Sequence, residues 1–351
     1  MDSSAIVSAI RKIEPDIDIH TFSYVADDSK INESKWIDLV NSKTNSIPHL
    51  VEISSADFYA DLNDLIRSQG EPFGSTSLYA QYKIYRAAKD SGVTVMLDGQ
   101  GADELLAGYF GYPENRVQSL INKHNYYGAL SLIYNWSQWP GRESKHLIRS
   151  SLKYLLPKKL QDSVSKYFRN ADYPVFINRQ FSTNNSLLDV YPYANWNGRK
   201  LTQRLLKEQS NGALVSLLRH ADRNSMRWSI ESRVPFLNTK LSELVLTFPE
   251  KYLLNGNGET KSIFRESMRG IVDQKILDRK DKIGFATPQS KWVTQELLEK
   301  ELITDGKTEI EFIDQQLLES YIRKSPDSNL KMRMTWRILN LSKWKQLNGV
   351  S

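Results

Sequence analysis

Three short apolar runs, at residues 17–24, 49–53 and 93–97, are separated by stretches of helical periodicity, and a chain so patterned has few ways to bury them all. Residues 3–11 carry Ala5, Ile6, Ala9 and Ile10 as one apolar stripe, and further helical patterns span 33–40, 57–67 and 78–89. Strands that alternate with helices predict an α/β fold, a doubly wound and mostly parallel sheet with helices on both faces. From about residue 113 to 211 the pattern becomes irregular, with Trp and Tyr scattered through helical stretches. The remainder reads as helical, broken at 255–258 and near Gly284. No internal repeat or low-complexity linker interrupts the chain, which predicts one compact unit with a large helical second half. Its expected parts are an α/β portion at 1–112, a variable helical insertion at 113–210 and a helical portion at 211–351.

Composition narrows the chemistry. The 351 residues include no cysteine, which excludes disulfides, thiolate metal sites and a cysteine nucleophile. The net charge of +6 comes from 47 basic residues interspersed among 41 acidic ones. Nucleic-acid binding needs clustered positive charge, so this mild excess argues against it and fits a basic cleft for phosphate groups. No apolar run of about 18 residues occurs, and the first residues lack a signal peptide's apolar core. Neither a membrane partner nor export is expected. A cytoplasmic location follows, with the sequons at Asn135 and Asn184 read as chance.

The sharpest local signal is Asp98-Gly99-Gln100-Gly101-Ala102-Asp103-Glu104, directly after the run at 93–97. Open α/β sheets bind ligands just beyond the carboxyl ends of their strands. Gly99 and Gly101 let backbone approach a phosphate, and Asp103 and Glu104 place carboxylates at a helix start, where they can hold a magnesium ion. A tight turn with two ordinary helix-start charges is the plainer reading. Gly108-Tyr109 downstream weighs against it. A second constellation joins residues 219–226 to Ser229-Ile230-Glu231-Ser232-Arg233-Val234-Pro235-Phe236-Leu237, where Glu231 and Arg233 read better as a buried structural bridge than as catalytic groups. A third is Glu259-Thr260-Lys261-Ser262-Ile263-Phe264-Arg265, followed by residues 278–288. Lys261 at a helix start is placed to meet negative charge developing on phosphorus or a carbonyl.

Together these residues resemble the synthetase domain of the glutamine-dependent asparagine synthetases, part of the pyrophosphatase-loop (PP-loop) ATP family. The likeness runs from residue 2 to about residue 345 and is strongest at G-Q-G-A-D-E, E-S-R-V-P-F-L, T-K-S-I-F-R and R-K-D-K-I-G-F-A-T-P. It implies an adenine nucleotide alpha hydrolase-like fold and a two-step reaction. ATP and Mg²⁺ activate the side-chain carboxylate of aspartate as an acyl-adenylate, releasing pyrophosphate, and ammonia then displaces AMP. By motif position, Asp2 and Ser3 resemble the end of the S-G-G-x-D-S loop that grips pyrophosphate. Asp98, Gly99 and Gly101 lie near the nucleotide, and Ser23 and Tyr24 flank adenine. Asp103 and Asp2 resemble Mg²⁺ ligands, while Lys261 resembles the lysine that stabilises the transferring phosphoryl group. Gln100 and Glu104 complete the implied catalytic set, and Ser75, Thr76, Asp222 and Arg223 fall where the amino-acid substrate is expected.

Three departures qualify the likeness. The family's glutaminase domain, with its N-terminal cysteine, has no counterpart in this sequence, so ammonia would come free or from a separate glutaminase domain or subunit. The Ser-Gly-Gly of the phosphate loop and the strand before it are also missing, with Met1 where the loop's variable residue belongs. In a doubly wound sheet that first strand is central, between the runs at 17–24 and 93–97. Each buried backbone group left unpaired costs about 1–3 kcal/mol, against a total stability of roughly 5–15 kcal/mol. A truncated or split reading frame is therefore expected, and the sequence leaves open whether the chain acts without the missing loop and strand. Finally, Gln100 stands where many relatives carry glutamate, and glutamine accepts no proton at neutral pH. Either Glu104 does that work or the acceptor substrate differs. An amide ligase for another carboxylate (β-lactam, peptide-cyclising or surface-sugar type) and a non-catalytic binding remnant are the competing readings.

Overall fold

The computed structural model describes residues 1–29, 31–157, 159–160, 174–178, 198–281, 284–304, 310–324 and 328–349. Asn184, much of the 113–210 insertion, and Lys282 and Ile283 of the R-K-D-K-I-G-F block lie outside them.

The chain opens on α1 (Asp2–Ile13), which buries Ala5 and Ser8 and carries Arg11 and Lys12 in its last turn, where cations suit the helix dipole. Strand β1 (His20–Val25) follows, then α2 (Ser34–Thr44) and β2 (Ile47–Glu52). The two strands pair in parallel, Phe22 opposite His49 and Ser23 opposite Leu50. Helix α3 (Ser55–Gln69) starts on a reciprocal capping box between Ser54 and Asp57 and stops at Gly70, whose φ of 72° ends it in the left-handed region. After α4 (Ser77–Asp90) comes β3 (Val95–Leu97), then the short α5 (Ala102–Leu106). Every strand and helix expected before residue 100 is present, shifted by at most four residues at its ends.

The sheet is divided between the runs at 17–24 and 93–97, where a gap is expected. β3 pairs in parallel with β4 (Glu231–Arg233), Met96 opposite Ser232, and not with β1. Among the described residues the strands therefore form two separate parallel pairs. The α/β class with parallel strands stands, and a continuous doubly wound sheet is not seen. Helix α4 carries both pairs: Tyr85 and Ala88 pack against Phe22 of β1 and against Val93 and Met96 around β3. Strands in an unbroken parallel sheet are covered on both faces. Here Val95 and Leu97 are 41 % and 42 % exposed, because the space beside them is a cleft and not another strand.

The second half is helical. α6 (Tyr112–Asn122), α7 (Tyr126–Ser137) and α8 (Ser144–Leu155) precede α9 (Lys200–Ser210) and α10 (Ala213–Arg227). Val117 and Leu120 of α6, Leu132 of α7, Leu201 and Leu205 of α9 and Leu105 of α5 share one core. A larger one joins Phe58 and Tyr79 to Trp292 and to Trp336 of the C-terminal helix Asn329–Asn348. The pair Glu231–Arg233 is a 2.7 Å ion pair with both side chains more than half exposed, so the buried bridge expected there is a surface contact. Such a contact contributes little to stability.

Candidate active site

The first and third sequence constellations send residues to one cleft of about 690 Å³, within the size range of small-molecule sites, and the second, 219–226 with 229–237, sends none. The cleft runs between β1 and β3 and opens where α1, α5 and a further helix, α11 (Ser262–Ser267), begin.

At its centre is Lys261. Its backbone adopts φ 56°, a left-handed conformation that a residue with a Cβ holds only under tertiary constraint. The residue is 5 % exposed. Its Nζ donates to both carboxylate oxygens of Asp2, at 2.5 and 2.6 Å, and lies 2.7 Å from Oδ1 of Asp103. Burial pulls the ammonium toward neutrality, but Asp2 and Asp103 outweigh it and hold the pKa above the ordinary lysine value. Three elements far apart in sequence thus meet in one charged cluster: the start of α1, the start of α5 and the residue before α11.

Glycines make the meeting possible. A Cβ on Gly99 would lie 3.0 Å from the backbone nitrogen of Ser3, so the end of β3 is pressed against the first turn of α1. A Cβ on Gly108 would overlap Asp103 Oδ1 and the Lys261 side chain. Asp98 closes the strand: its amide donates to the Arg233 carbonyl at 2.8 Å, and its carboxylate accepts from the Gln100 amide at 3.2 Å. Burial raises the Asp98 pKa against those hydrogen bonds. Glu104 is 1 % exposed and accepts a 2.7 Å hydrogen bond from the Tyr109 hydroxyl. Burial again dominates and raises its pKa, with Asp103 adding to the effect. The side-chain oxygen of Gln100 is buried and accepts no hydrogen bond among the described residues.

Asp2, Ser3, Ser23, Asp98, Gly99, Gln100, Gly101, Asp103, Glu104 and Lys261 all line this cleft. Tyr24 does not: its ring packs against Phe285 and Trp292 at the edge of the aromatic core. Ser75, Thr76, Asp222 and Arg223 also lie away from it. Thr76 is buried and bonds Thr287 at 2.8 Å, which makes it a brace between α4 and the 278–288 segment. Sequence reading missed Phe110 and Arg142 on the cleft wall. The only trace of Arg142 was the three-residue spacing of Trp136, Trp139 and Arg142.

No group of three or more His, Asp or Glu side chains suited to a metal occurs among the described residues. Asp2 and Asp103 nonetheless converge on one point. Two carboxylates completed by phosphate oxygens and water are the donor set that Mg²⁺ takes.

Parallel strands, a helix start and a lysine–aspartate cluster around one cleft define an α/β protein with its charged site at the strand ends. The family model for asparagine synthase matches residues 1–346, and the chain belongs to that family. It is 26 % identical over 376 aligned residues to the glutamine-hydrolysing asparagine synthetase 1 of Bacillus subtilis (strain 168), covering 99 % of this chain and 55 % of that protein. It is also 27 % identical over 286 residues to a putative glutamine-hydrolysing asparagine synthetase of Mycobacterium tuberculosis (strain ATCC 25618 / H37Rv), covering 74 % and 40 %. The chain spans about half the length of these curated relatives, or less.

Proposed function

We propose that this chain is an ATP-dependent amide-forming ligase that converts aspartate to asparagine through a β-aspartyl-AMP intermediate, with ammonia as nucleophile. The observation that carries the reading is the buried Lys261–Asp2–Asp103 cluster at the junction of α1, α5 and α11. A buried ammonium held charged by two carboxylates stabilises negative charge far better than one in water. Lys261 meets the charge that develops as pyrophosphate leaves. The first turn of α1, with Ser3, offers backbone N–H groups that have no intrahelical acceptor, a natural seat for phosphate oxygens. Gly99 and Gly101 line the cleft with Ser23, and their missing Cβ atoms make room for the first turn of α1 and for Leu237, which bring the strand end to the cleft. Asp2 and Asp103 would hold Mg²⁺, which neutralises phosphate charge when bound.

In the second half-reaction a proton must leave the attacking ammonium. Gln100 cannot take it, whereas Glu104 lines the same cleft with a raised pKa and a hydrogen bond from Tyr109 that fixes its orientation. Ammonia arrives free or from a separate glutaminase. No helix among the described residues is long and apolar enough to cross a membrane, and a cytoplasmic setting fits the substrates.

A second reading, an amide ligase for another carboxylate, draws on two observations. Gln100 is neutral, and Ser75, Thr76, Asp222 and Arg223 sit outside the cleft. A panel of carboxylic acids, incubated with ATP, Mg²⁺ and ammonium and scored for AMP and amide by mass spectrometry, separates the two. Asparagine formed in step with AMP is expected. Turnover of a different acid favours the second reading, and no turnover without ATP binding leaves neither.

A further inference from the structure

We propose that Arg142 is a binding residue of the cleft that clamps the polyphosphate end of the ligand, an inference that rests on the nucleotide-binding reading above. Arg142 stands on the turn between α7 and α8, within the 113–210 segment that adds little to the family likeness. Its guanidinium carbon lies 3.8 Å from the ring centre of Trp136, 4.3 Å from Trp139 and 5.5 Å from Phe110. Nη1 donates to the Gly258 carbonyl at 2.9 Å, on the loop that leads into Lys261. Aromatic faces attract the cation but accept few of its N–H donors. The Nε is sealed from solvent and has no acceptor among the described residues.

Charge makes the arrangement harder to explain as structural. No described carboxylate pairs with Arg142. Burial, and then the neighbouring Arg265 cation, lower its pKa to about 10. Arg265 in turn bonds the carbonyls of Thr260, Leu277 and Arg279. Lys280 places its ammonium 5.4 Å from the ring centre of Trp139, one of the three rings that Arg142 meets. Arg142, Arg265 and Lys280 all line the cleft, and of these Arg265 also faces the carboxylates of Glu259, Asp2 and Asp278, while Arg142 faces the Arg265 cation without one. A ligand with several negative oxygens relieves the repulsion between Arg142 and Arg265 by meeting the guanidinium where it lines the cleft. The closeness of Gly258 to Lys261 sets Arg142 beside the phosphate end of the cleft.

The test is titration calorimetry of the folded chain with magnesium pyrophosphate, AMP and aspartate in separate arms. Arg142→Met is expected to weaken pyrophosphate binding about tenfold or more while leaving AMP unchanged. Trp139→Leu, which loosens the cage but keeps the charge, should weaken it by a smaller factor. Should Arg142→Met lose its helical circular dichroism, Arg142→Lys takes its place: it keeps a charge and loses the fork, and a several-fold loss is expected. Unchanged pyrophosphate affinity in these variants overturns the proposal, as does loss of aspartate binding alone, which would mark a carboxylate subsite. If the wild-type chain binds neither pyrophosphate nor MgATP, the nucleotide reading fails and this one with it.

Discussion

Lys261 combines a left-handed backbone, near-complete burial and two carboxylate partners, and each feature would be unfavourable without the others. Removing the ammonium in Lys261→Met leaves Asp2 and Asp103 facing each other with no cation, a change that costs about 3–5 kcal/mol in comparable buried pairs. Urea unfolding should register that loss. Arg in its place should not restore activity, because a wide planar fork does not fit a point-charge site. Glu104 gives a prediction of its own. Its pKa is raised by burial, so the protonated form suits the fold, and that advantage is present below the ordinary glutamate value and fades as pH rises through the raised one. Glu104→Gln imitates the protonated form and keeps an acceptor for Tyr109. Thermal melts should show Glu104→Gln and wild type alike in acid and the variant more stable at neutral pH. A gap that shrinks as pH rises would refute this.

Among the elements, the turn from β3 into α5 is where sequence spoke most clearly. An apolar run followed by Gly-x-Gly and two acids can be read as strand, tight turn and helix start without any tertiary knowledge, and Val95–Leu97 and Ala102–Leu106 form those elements. Lys261 could not be placed in the same way, because its partner Asp2 is 259 residues distant and nothing local announces the pairing. Tyr24, Ser75, Thr76, Asp222 and Arg223 were placed by motif position alone, and none of them lines the cleft: Tyr24 meets the aromatic core and Thr76 meets Thr287. The glycines permit a paired comparison at this level. Gly108→Ala would drive a methyl group into Asp103 and Lys261, so MgATP affinity should fall at least tenfold. Gly111→Ala meets nothing within 4 Å and has an ordinary backbone conformation, so stability should change by less than about 0.5 kcal/mol. Similar binding by the two variants would argue against the cluster as the nucleotide site.

At the scale of the whole molecule, helices bury the two larger cores while the strands among the described residues form two parallel pairs joined through α4. The α/β class was legible from alternation. The division of the sheet was anticipated only as a gap between the runs at 17–24 and 93–97, since strand order is set by contacts that periodicity does not encode. Strand edges that border the cleft leave amides without a cross-strand acceptor, and such amides exchange readily. Hydrogen exchange should therefore show mixed protection along His20–Val25, with the amides bonded to β2 slow and the alternate ones fast. Uniformly slow exchange would mean that the cleft is closed in solution.

Aspartate-dependent exchange of labelled pyrophosphate into ATP reads the proposed adenylation without needing ammonia. The cleft described here predicts exchange that requires Mg²⁺ and aspartate together and that disappears in Lys261→Met and Asp103→Asn. Exchange that persists undiminished in folded Lys261→Met, or a folded wild-type chain that neither exchanges pyrophosphate nor binds ATP, would contradict it.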